Sequence, residues 1–395
     1  MNRIFPILLT VFGLVAPCGA QTAFPSAVEP GLNPKLVKHC QPGAWGNLEY
    51  YEIILEPPTD SLWSSLLSEV SVWPFADSTK EEALEELKNA GFSPDMITEA
   101  SENGIWSNQG RGMAFTPSDK FIENSNSKQR IALLELFTKA DPNFPNRVLM
   151  NVEGADLSII SHGIAPETLK VLESVTFMKN GTLSFFDRPY LLRKMPTLET
   201  KQNLIRAISR TKGLVVRLSV DPTSNLDGLA DYWSAGGNNR SILPLLHGIR
   251  ATSRVSKIDI VHLLPPTAKK YLNTFTRDSD MMPDDSPDCF WTCMNFFEKN
   301  PSNRVMDTLS LGHYINEDFK MAQPPLRFGD LCVIYERSNG AFVHSYVYIA
   351  DDIVFTKNGM SSLRPYALTE ASQMLSIYEP DSDRYLEVYR RIPDS

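Results

Sequence analysis

The chain has few cysteines and a shortage of positive charge, and each scarcity argues against a class of protein. Five cysteines in 395 residues are too few for a disulfide-rich scaffold. Lys and Arg number 38 against 47 Asp and Glu, a formal net charge of −9. Nucleic acids and anionic membrane surfaces favour basic patches, so neither is expected as the main partner. After the first 20 residues no apolar run approaches the roughly 20 residues of a membrane-spanning helix, so no membrane span is predicted.

The first 20 residues have the pattern of an export signal. Arg3 gives a short positive start, residues 4–16 form a nearly unbroken apolar run, and Cys18-Gly19-Ala20 is a small-residue cleavage site. We therefore predict a signal peptide cleaved near Ala20 and a secreted protein, periplasmic or extracellular. The alternative is a lipoprotein acylated at Cys18, which the preceding proline disfavours.

The rest of the chain exceeds one ordinary hydrophobic core, so two domains are expected. Residues 21–45 are proline-rich and predict an extended leader, and residues 46–264 predict a mixed α+β domain of unknown role. Pro265-Pro266 marks the predicted boundary, because consecutive prolines force extended backbone. Residues 265–395 read as helix first and antiparallel strands second, so the fold class is α+β.

Several local elements are predicted with defined positions. Residues 157–161 and 258–264 are predicted strands, and residues 61–72 a predicted helix. Asn180-Gly181 and Asn339-Gly340 are dipeptides typical of tight β-hairpins.

The segment with the most chemical information opens an apolar helix with a thiol. If Ser286 caps the helix and Pro287 takes its first position, Cys289 lies in the first turn. Free backbone N–H groups and the helix dipole there favour a thiolate, the reactive form of cysteine. Cys289 is therefore a candidate nucleophile.

A structural role for the cysteines is the alternative. Cys289 and Cys293 lie one helical turn apart, where a bridge between them would be strained. They could instead be a buried pair, or Cys40 could form a disulfide with one of them. Cys332 lies in an apolar strand and is most simply a core residue.

A histidine follows about 55 residues later, inside an alternating strand. His344 shares one face with Tyr346 and Tyr348. The opposite, largely aliphatic face fits a core and consists of Val343, Ser345, Val347 and Ile349. We expect the tyrosine face to meet the cysteine helix.

A cysteine hydrolase needs a third polar group as well. The imidazole must reach the sulfur with one ring nitrogen, and a polar partner on the other nitrogen fixes its tautomer. The candidates lie just past the next strand, at Thr356, Lys357 and Asn358.

Together these residues resemble the NlpC/P60 branch of the papain-like cysteine peptidases over residues 270–395. The likeness rests on Asp288-Cys289 opening a helix, Gly329-Asp330-Leu331 starting a strand, His344 in a strand that ends at Tyr348-Ile349, and the following Asp351-Asp352-Ile353-Val354-Phe355. The resemblance implies a papain-like domain whose cysteine helix packs on an antiparallel sheet. It implies Cys289 as nucleophile, His344 as base, and a third residue near Thr356 by spacing, with Asn358 the better orienter chemically. It also implies thiol protease activity on peptide amides of bacterial cell-wall peptidoglycan, with no cofactor.

The chain departs from the family pattern around the thiol. Phe290 and Trp291 stand where family members have small residues, which would narrow or reshape the cleft, and the usual third histidine is absent. Asp288, Trp291 and Tyr346 are the predicted substrate contacts. An acidic loop either faces solvent or recognises a cationic group such as an amine, and it consists of Asp278, Asp280, Asp284, Asp285 and Asp288.

Other functions stay open. A zinc site built from Cys289, Cys293, His313 and His344 matches no compact zinc spacing, so no metal is predicted. The rival class is a non-catalytic envelope binding or scaffold protein that keeps a papain-like core as a ligand platform. A third possibility is a thiol acyltransferase or amidase acting on another substrate.

Overall fold

The structure is a computed structural model. It describes residues 36–59, 67–110, 112–140, 148–152, 157–179, 181–235, 241–277, 286–306, 308–378 and 383–392. The predicted signal peptide, most of the predicted leader, the first half of the predicted helix at residues 61–72, and the acidic loop residues before Ser286 lie outside these ranges. Residues 67–72 are described and form no α-helix, so that half of the helix prediction is wrong. From Lys38 onward the described residues belong to one compact unit.

This unit is a mixed α+β structure. Its helices are α1 Lys80–Asn89, α2 Pro94–Asn103, α3 Asp119–Asn124, α4 Ser127–Ala140, α5 Ser158–Ser161, α6 Pro166–Val175, α7 Arg188–Arg193, α8 Leu198–Ile208, α9 Leu226–Trp233, α10 Ile242–Ala251, α11 Pro266–Tyr271, α12 Cys289–Met294, α13 Thr308–Asp318 and α14 Ala371–Tyr378. Its strands are β1 Lys38–His39, β2 Asn47–Leu55, β3 Trp73–Ala76, β4 Ile105–Asn108, β5 Gly112–Thr116, β6 Met150–Val152, β7 Phe177–Lys179, β8 Thr182–Phe185, β9 Thr211–Ser219, β10 Lys257–Asp259, β11 Phe319–Met321, β12 Leu331–Glu336, β13 Phe342–Ala350, β14 Ile353–Lys357, β15 Tyr366–Glu370 and β16 Arg384–Arg391.

The strands form four antiparallel sheets. The largest has the order β11-β16-β12-β13-β14-β15, and a four-stranded sheet has the order β1-β2-β9-β10. Two three-stranded sheets, β3-β5-β4 and β6-β8-β7, complete the set in the described part of the chain. The pairing of β7 with β8 and of β12 with β13 confirms both predicted hairpins.

Several helices begin where the sequence supplies a capping side chain. At α1, Thr79 accepts a hydrogen bond from the Glu82 N–H, and the Glu82 carboxylate accepts one from the Thr79 N–H at 2.8 Å. This reciprocal arrangement satisfies two backbone donors that the first helical turn leaves free.

One predicted strand is wrong, and another ends early, since only Ile258 and Asp259 of residues 258–264 lie in a strand. Residues 158–161 form the short helix α5, in which the Ser161 N–H bonds to the Leu157 carbonyl. Beyond Asp259, residues 260–262 form a 3₁₀ turn because the Asp259 side chain accepts from the Val261 N–H. Short apolar runs do not distinguish a strand from a buried helical turn.

Three hydrophobic clusters hold the unit together. One lies within residues 73–208 with Leu363 added. The largest joins β2, β9 and helices α9 and α10 to the cysteine helix α12 and to one face of the six-stranded sheet. The third lies on the opposite face of that sheet, under helix α14. The sheet is therefore covered on both faces.

The largest cluster contains residues from both sides of Pro265-Pro266. Leu214, Val216 and Trp233 precede these prolines, and Phe296 and Phe355 follow them. The segment after the prolines also pairs with the sheet, since the Asn273 N–H donates to the Tyr366 carbonyl at 2.7 Å. A boundary at Pro265-Pro266 implies that residues 265–395 could fold alone, and the cluster shared across these prolines argues against it.

A chain that begins at Ala268 lacks the side chains of β2, β9, α9 and α10 that share the largest hydrophobic cluster with the cysteine helix. Because burial of such apolar surface is the main driving force for folding, we expect it to show no cooperative thermal transition. Circular dichroism and calorimetry of this chain and of residues 38–395 provide the measurement. A sharp transition in the shorter chain would instead support a boundary at Pro265-Pro266.

In the described ranges no helix is both long and apolar enough to cross a membrane.

Candidate functional site

The cysteine helix begins two residues later than predicted. Asp288 is its N-cap, with extended backbone and a side-chain oxygen that accepts from the Trp291 N–H at 2.9 Å. Cys289 is the first helical residue, and Ser286 and Pro287 lie before the cap. The assignment of Ser286 as cap was wrong, because the Asp288 carboxylate satisfies the free N–H of the first turn. The thiol still lies at the start of the helix.

The thiol is buried and neutral at rest. Cys289 exposes 5% of its surface. Burial is the largest cause that raises the pKa of the Cys289 thiol, and the Asp288 carboxylate raises it further. Ser345 and Lys357 act in the opposite direction. Desolvation outweighs the predicted effect of the helix start, since a buried thiolate loses its hydration.

All the described cysteines are free thiols, including Cys40 and the Cys289 and Cys293 pair. The disulfide from Cys40 that was left open is therefore not formed. Burial also raises the pKa of Cys293 and, to about 12, that of Cys332.

Ser345 is the strand residue that meets both thiols of the cysteine helix. Its hydroxyl oxygen has no partner of ordinary hydrogen-bond geometry, yet it is near enough to favour the thiolate forms of Cys289 and Cys293. Val347 and Ile349 extend the same face and belong to the cluster around the helix. The helix thus packs on the aliphatic face, not on the predicted tyrosine face.

Val343 departs from the predicted alternation. The pairing of β12 with β13 shifts register between Ile334 and Tyr335, so Val343 is an extra residue in its strand. It packs with the cluster under α14, on the face opposite Ser345.

His344 is fully buried on the α14 side of the sheet. Its ring stacks on Tyr378, with centroids 3.9 Å apart and planes 8° apart. Its Nε2 lies 3.1 Å from Thr356 Oγ1. Among the residues that the structure describes, its Nδ1 has no hydrogen-bond partner.

The hydrogen bonds of Thr356 determine the tautomer of His344. The single hydroxyl hydrogen of Thr356 donates to the Ser345 carbonyl at 2.9 Å. Thr356 Oγ1 can then only accept from the His344 Nε2–H. Nδ1 therefore carries an unused lone pair inside the protein. Thr356, the residue implied by spacing, is the partner of His344.

Asn358 does not orient the imidazole in this arrangement. Its Oδ1 is buried without a hydrogen-bond partner, and its side chain lines a narrow groove beside Thr356. The groove is also lined by Lys212, Arg364, Gln373 and Ile377.

Cys289 and His344 share no hydrogen bond and lie toward opposite faces of the six-stranded sheet, the thiol on the Ser345 face and the imidazole on the α14 face. Tyr378 stacks on the imidazole, and after burial the Cys289 thiolate charge is the largest cause that raises the Tyr378 pKa. Among the described residues the imidazole Nδ1 has no partner, and the thiol is near Ser345. The predicted nucleophile and base are therefore not engaged with each other in this arrangement.

The predicted substrate contacts lie in the core. Trp291 exposes 4% of its surface, and its Nε1 donates to Asn303 Oδ1 at 3.0 Å. Tyr346 is buried beside Cys332. Asp288 caps the helix, and burial raises its pKa. Their contact with substrate stays a prediction.

The residues proposed for a zinc site are not brought together. His313 is exposed and lies 3.1 Å from Glu317, one helical turn away. In the part of the chain that the structure covers, no three His, Cys, Asp or Glu side chains are grouped to hold a metal ion.

Two residues at the site were missed by sequence reasoning. Ser345 was assigned to the core, although its hydroxyl in an aliphatic face opposite a cysteine helix was an available signal. Tyr378 gave no local signal, because only the docking of α14 brings it onto His344.

The buried imidazole makes stability depend on pH. Burial lowers the pKa of His344 from its ordinary 6.5 to about 3. Below pH 6.5 the unfolded chain binds a proton that the folded protein does not, so this contribution to stability is lost progressively as pH falls toward 3. We expect His344→Gln to remove about 1.4 kcal/mol per pH unit from the slope of unfolding free energy in that window.

Denaturant unfolding of both proteins between neutral and acidic pH measures this difference. Equal slopes in the two proteins would contradict a buried neutral imidazole.

Comparisons of the chain with protein-family models, curated proteins and solved structures found no match.

Proposed function

We propose that the chain is a cysteine hydrolase that cleaves a peptide amide, with Cys289 as nucleophile and His344 as base. One observation carries the proposal: Thr356 holds the His344 Nε2–H and leaves Nδ1 buried with an unused lone pair. A structural histidine gains nothing from an unpartnered buried nitrogen, since such a group costs about 1–3 kcal/mol. A general base needs this arrangement.

The reaction follows from these groups. The Cys289 thiol gives its proton to a base of the site, the thiolate attacks the carbonyl carbon, the C–N bond breaks as that proton passes to the leaving amine, and a thioester remains on Cys289. His344 Nδ1 takes a proton from the water that hydrolyses the thioester. The Thr356 oxygen keeps the imidazole in the required tautomer throughout.

Substrate entry requires the site to open. Thiol and imidazole are buried, and the Tyr378 ring covers one face of His344. We infer that α14 moves Tyr378 away from the imidazole when substrate binds. Motion of such covering elements is a common step in enzyme turnover.

The substrate class rests on three sequence features. The export pattern at residues 1–20, the resemblance to NlpC/P60 peptidases and the papain-like order of cysteine helix and strands all favour a stem-peptide amide of peptidoglycan. The packing of α12 against β13 and β14 is compatible with a papain-like core.

A second candidate function is a non-catalytic envelope binding or scaffold protein with the same core. The absence of a hydrogen bond between His344 Nδ1 and Cys289 favours it. A thiol acyltransferase or amidase would use the same groups with a different acceptor or substrate.

We expect Cys289→Ala to abolish release of new amine termini from muropeptides under reducing conditions. Thr356→Val keeps the shape of the side chain and removes the oxygen that holds His344, so its turnover should fall roughly 100-fold, the range of a lost general base. Asn358→Ala should retain far more turnover than Thr356→Val. Mass spectrometry of the products provides the measurement.

Two outcomes would contradict the proposal. Identical product mixtures from the wild type and Cys289→Ala, across several stem-peptide chemistries, would favour the binding protein. A larger loss in Asn358→Ala than in Thr356→Val would transfer the orienting role to Asn358.

A further inference from the structure

Lys357 is a buried cationic side chain that the proposed reaction does not use. It is the last residue of β14 and exposes 0% of its surface. Among the residues that the structure describes, no carboxylate lies within the 4.0 Å of an ion pair with Lys357. An unpaired ammonium in such a place would be very costly, so the charge state of Lys357 needs an explanation.

Its hydrogen bonds fit a neutral amine. Lys357 Nζ donates to the Gly359 carbonyl at 2.7 Å and to the Ser361 carbonyl at 2.8 Å. A neutral amine has two N–H donors and one lone pair, and both donors are then satisfied. A charged ammonium would leave a third N–H without a partner in a buried place. The lone pair of the neutral Nζ is therefore free to accept a proton.

The lysine faces the cysteine helix. Val347 and Phe355 are paired across β13 and β14 and both pack in the cluster around that helix. Ser345 lies two residues before Val347 and Lys357 two residues after Phe355, so the two side chains point the same way. Ser345 meets the thiols, and the Cys289 thiol and the Asp288 carboxylate are the acidic groups that act on Lys357.

We propose that Lys357 accepts the proton of the Cys289 thiol, so that the reactive thiolate forms as an ion pair with a buried lysine. The S–H bond breaks, its proton binds the lone pair of Nζ, and the pair as a whole gains or loses no proton. His344 Nδ1 then stays free for the hydrolytic water. This deepens the proposed function, but the proton transfer itself can be measured without substrate.

The basicities favour Lys357 over His344 as the acceptor of the thiol proton. Burial lowers the pKa of Lys357 to about 7, whereas burial lowers that of His344 to about 3. At neutral pH the lysine is thus the stronger acceptor of the two. Because its pKa is near neutrality, the proposed transfer is available above pH 7 and is suppressed below it.

Several other polar and titratable groups surround Cys289 and Lys357 and affect the pH at which they ionise. Asp288 and Cys293 act on the thiol from its own helix, Ser345 acts from β13, and Tyr378 acts from α14. Arg364 lowers the pKa of Lys357 by charge repulsion, and Nζ lies 5.9 Å from the Tyr366 ring centroid. The Tyr378 pKa is raised above its ordinary 10.0 and that of Cys293 above its ordinary 9.0, so neither titrates near pH 7.

The test is the pH dependence of Cys289 alkylation by iodoacetamide, read by site-resolved mass spectrometry on the full chain. In the wild type the rate should rise with a midpoint near pH 7 and then level off. In Lys357→Met the plateau in alkylation rate should disappear. The rate near pH 8 should fall about tenfold or more, as expected if the pKa of the Cys289 thiol rises by at least one unit. Lys357→Gln keeps a hydrogen-bond donor without a basic nitrogen and should behave like Lys357→Met.

Two controls separate the alternatives. Cys332 alkylation and the thermal transition should be the same in all variants, which excludes a general loss of structure. Thiolate ultraviolet absorbance reports ionisation of Cys289 without iodoacetamide, so it also serves if the reagent enters the site slowly. For each protein, the absorbance of its Cys289→Ser counterpart is subtracted. His344→Ala tests the competing acceptor.

The proposal is overturned if Lys357→Met keeps the wild-type profile, if the levelling is lost in His344→Ala instead, or if the wild type forms no thiolate across the titration. Loss of peptide hydrolysis with an intact Lys357-dependent profile would count against the substrate alone.

Discussion

The site depends on one hydroxyl group. Thr356 donates to the Ser345 carbonyl and accepts from the His344 Nε2–H, so a single side chain joins β14 to two consecutive residues of β13. Because a hydroxyl has only one hydrogen, Thr356 cannot also donate to His344 Nε2 and must accept from it. From this follow the tautomer of the imidazole, the unused Nδ1 and the assignment of His344 as a base.

Burial determines the chemistry of the surrounding groups. Desolvation raises the pKa of the Cys289 thiol and lowers those of His344 and Lys357, so near pH 7 the thiol and the imidazole are neutral and Lys357 is close to half protonated. In their neutral forms these groups leave no buried charge to stabilise. The same low polarity strengthens any ion pair that forms within it. A thiolate beside a protonated Lys357 would therefore be held tightly once formed.

Part of this could be predicted from the sequence. The two hairpins, the cysteine at a helix start and the twelve-residue spacing of His344 and Thr356 follow from local patterns that the chain obeys. Long-range packing could not be predicted. The face of β13 that meets the cysteine helix, the extra residue Val343 and the stacking of Tyr378 depend on how distant segments dock. The hydrophobic cluster shared across Pro265-Pro266 could not be predicted either, because two prolines indicate only the local backbone geometry.

The assignment of His344 as a base depends on which ring nitrogen carries the hydrogen. Nitrogen NMR of the His344 ring in the folded protein at neutral pH measures this directly. With the Thr356 hydroxyl committed to Ser345, the ring should be neutral, with its hydrogen on Nε2 and a bare Nδ1. The signal should move in Thr356→Val, because that hydrogen loses its acceptor. A ring protonated on Nδ1, or a doubly protonated imidazolium, would contradict the assignment of His344 as a base held by Thr356.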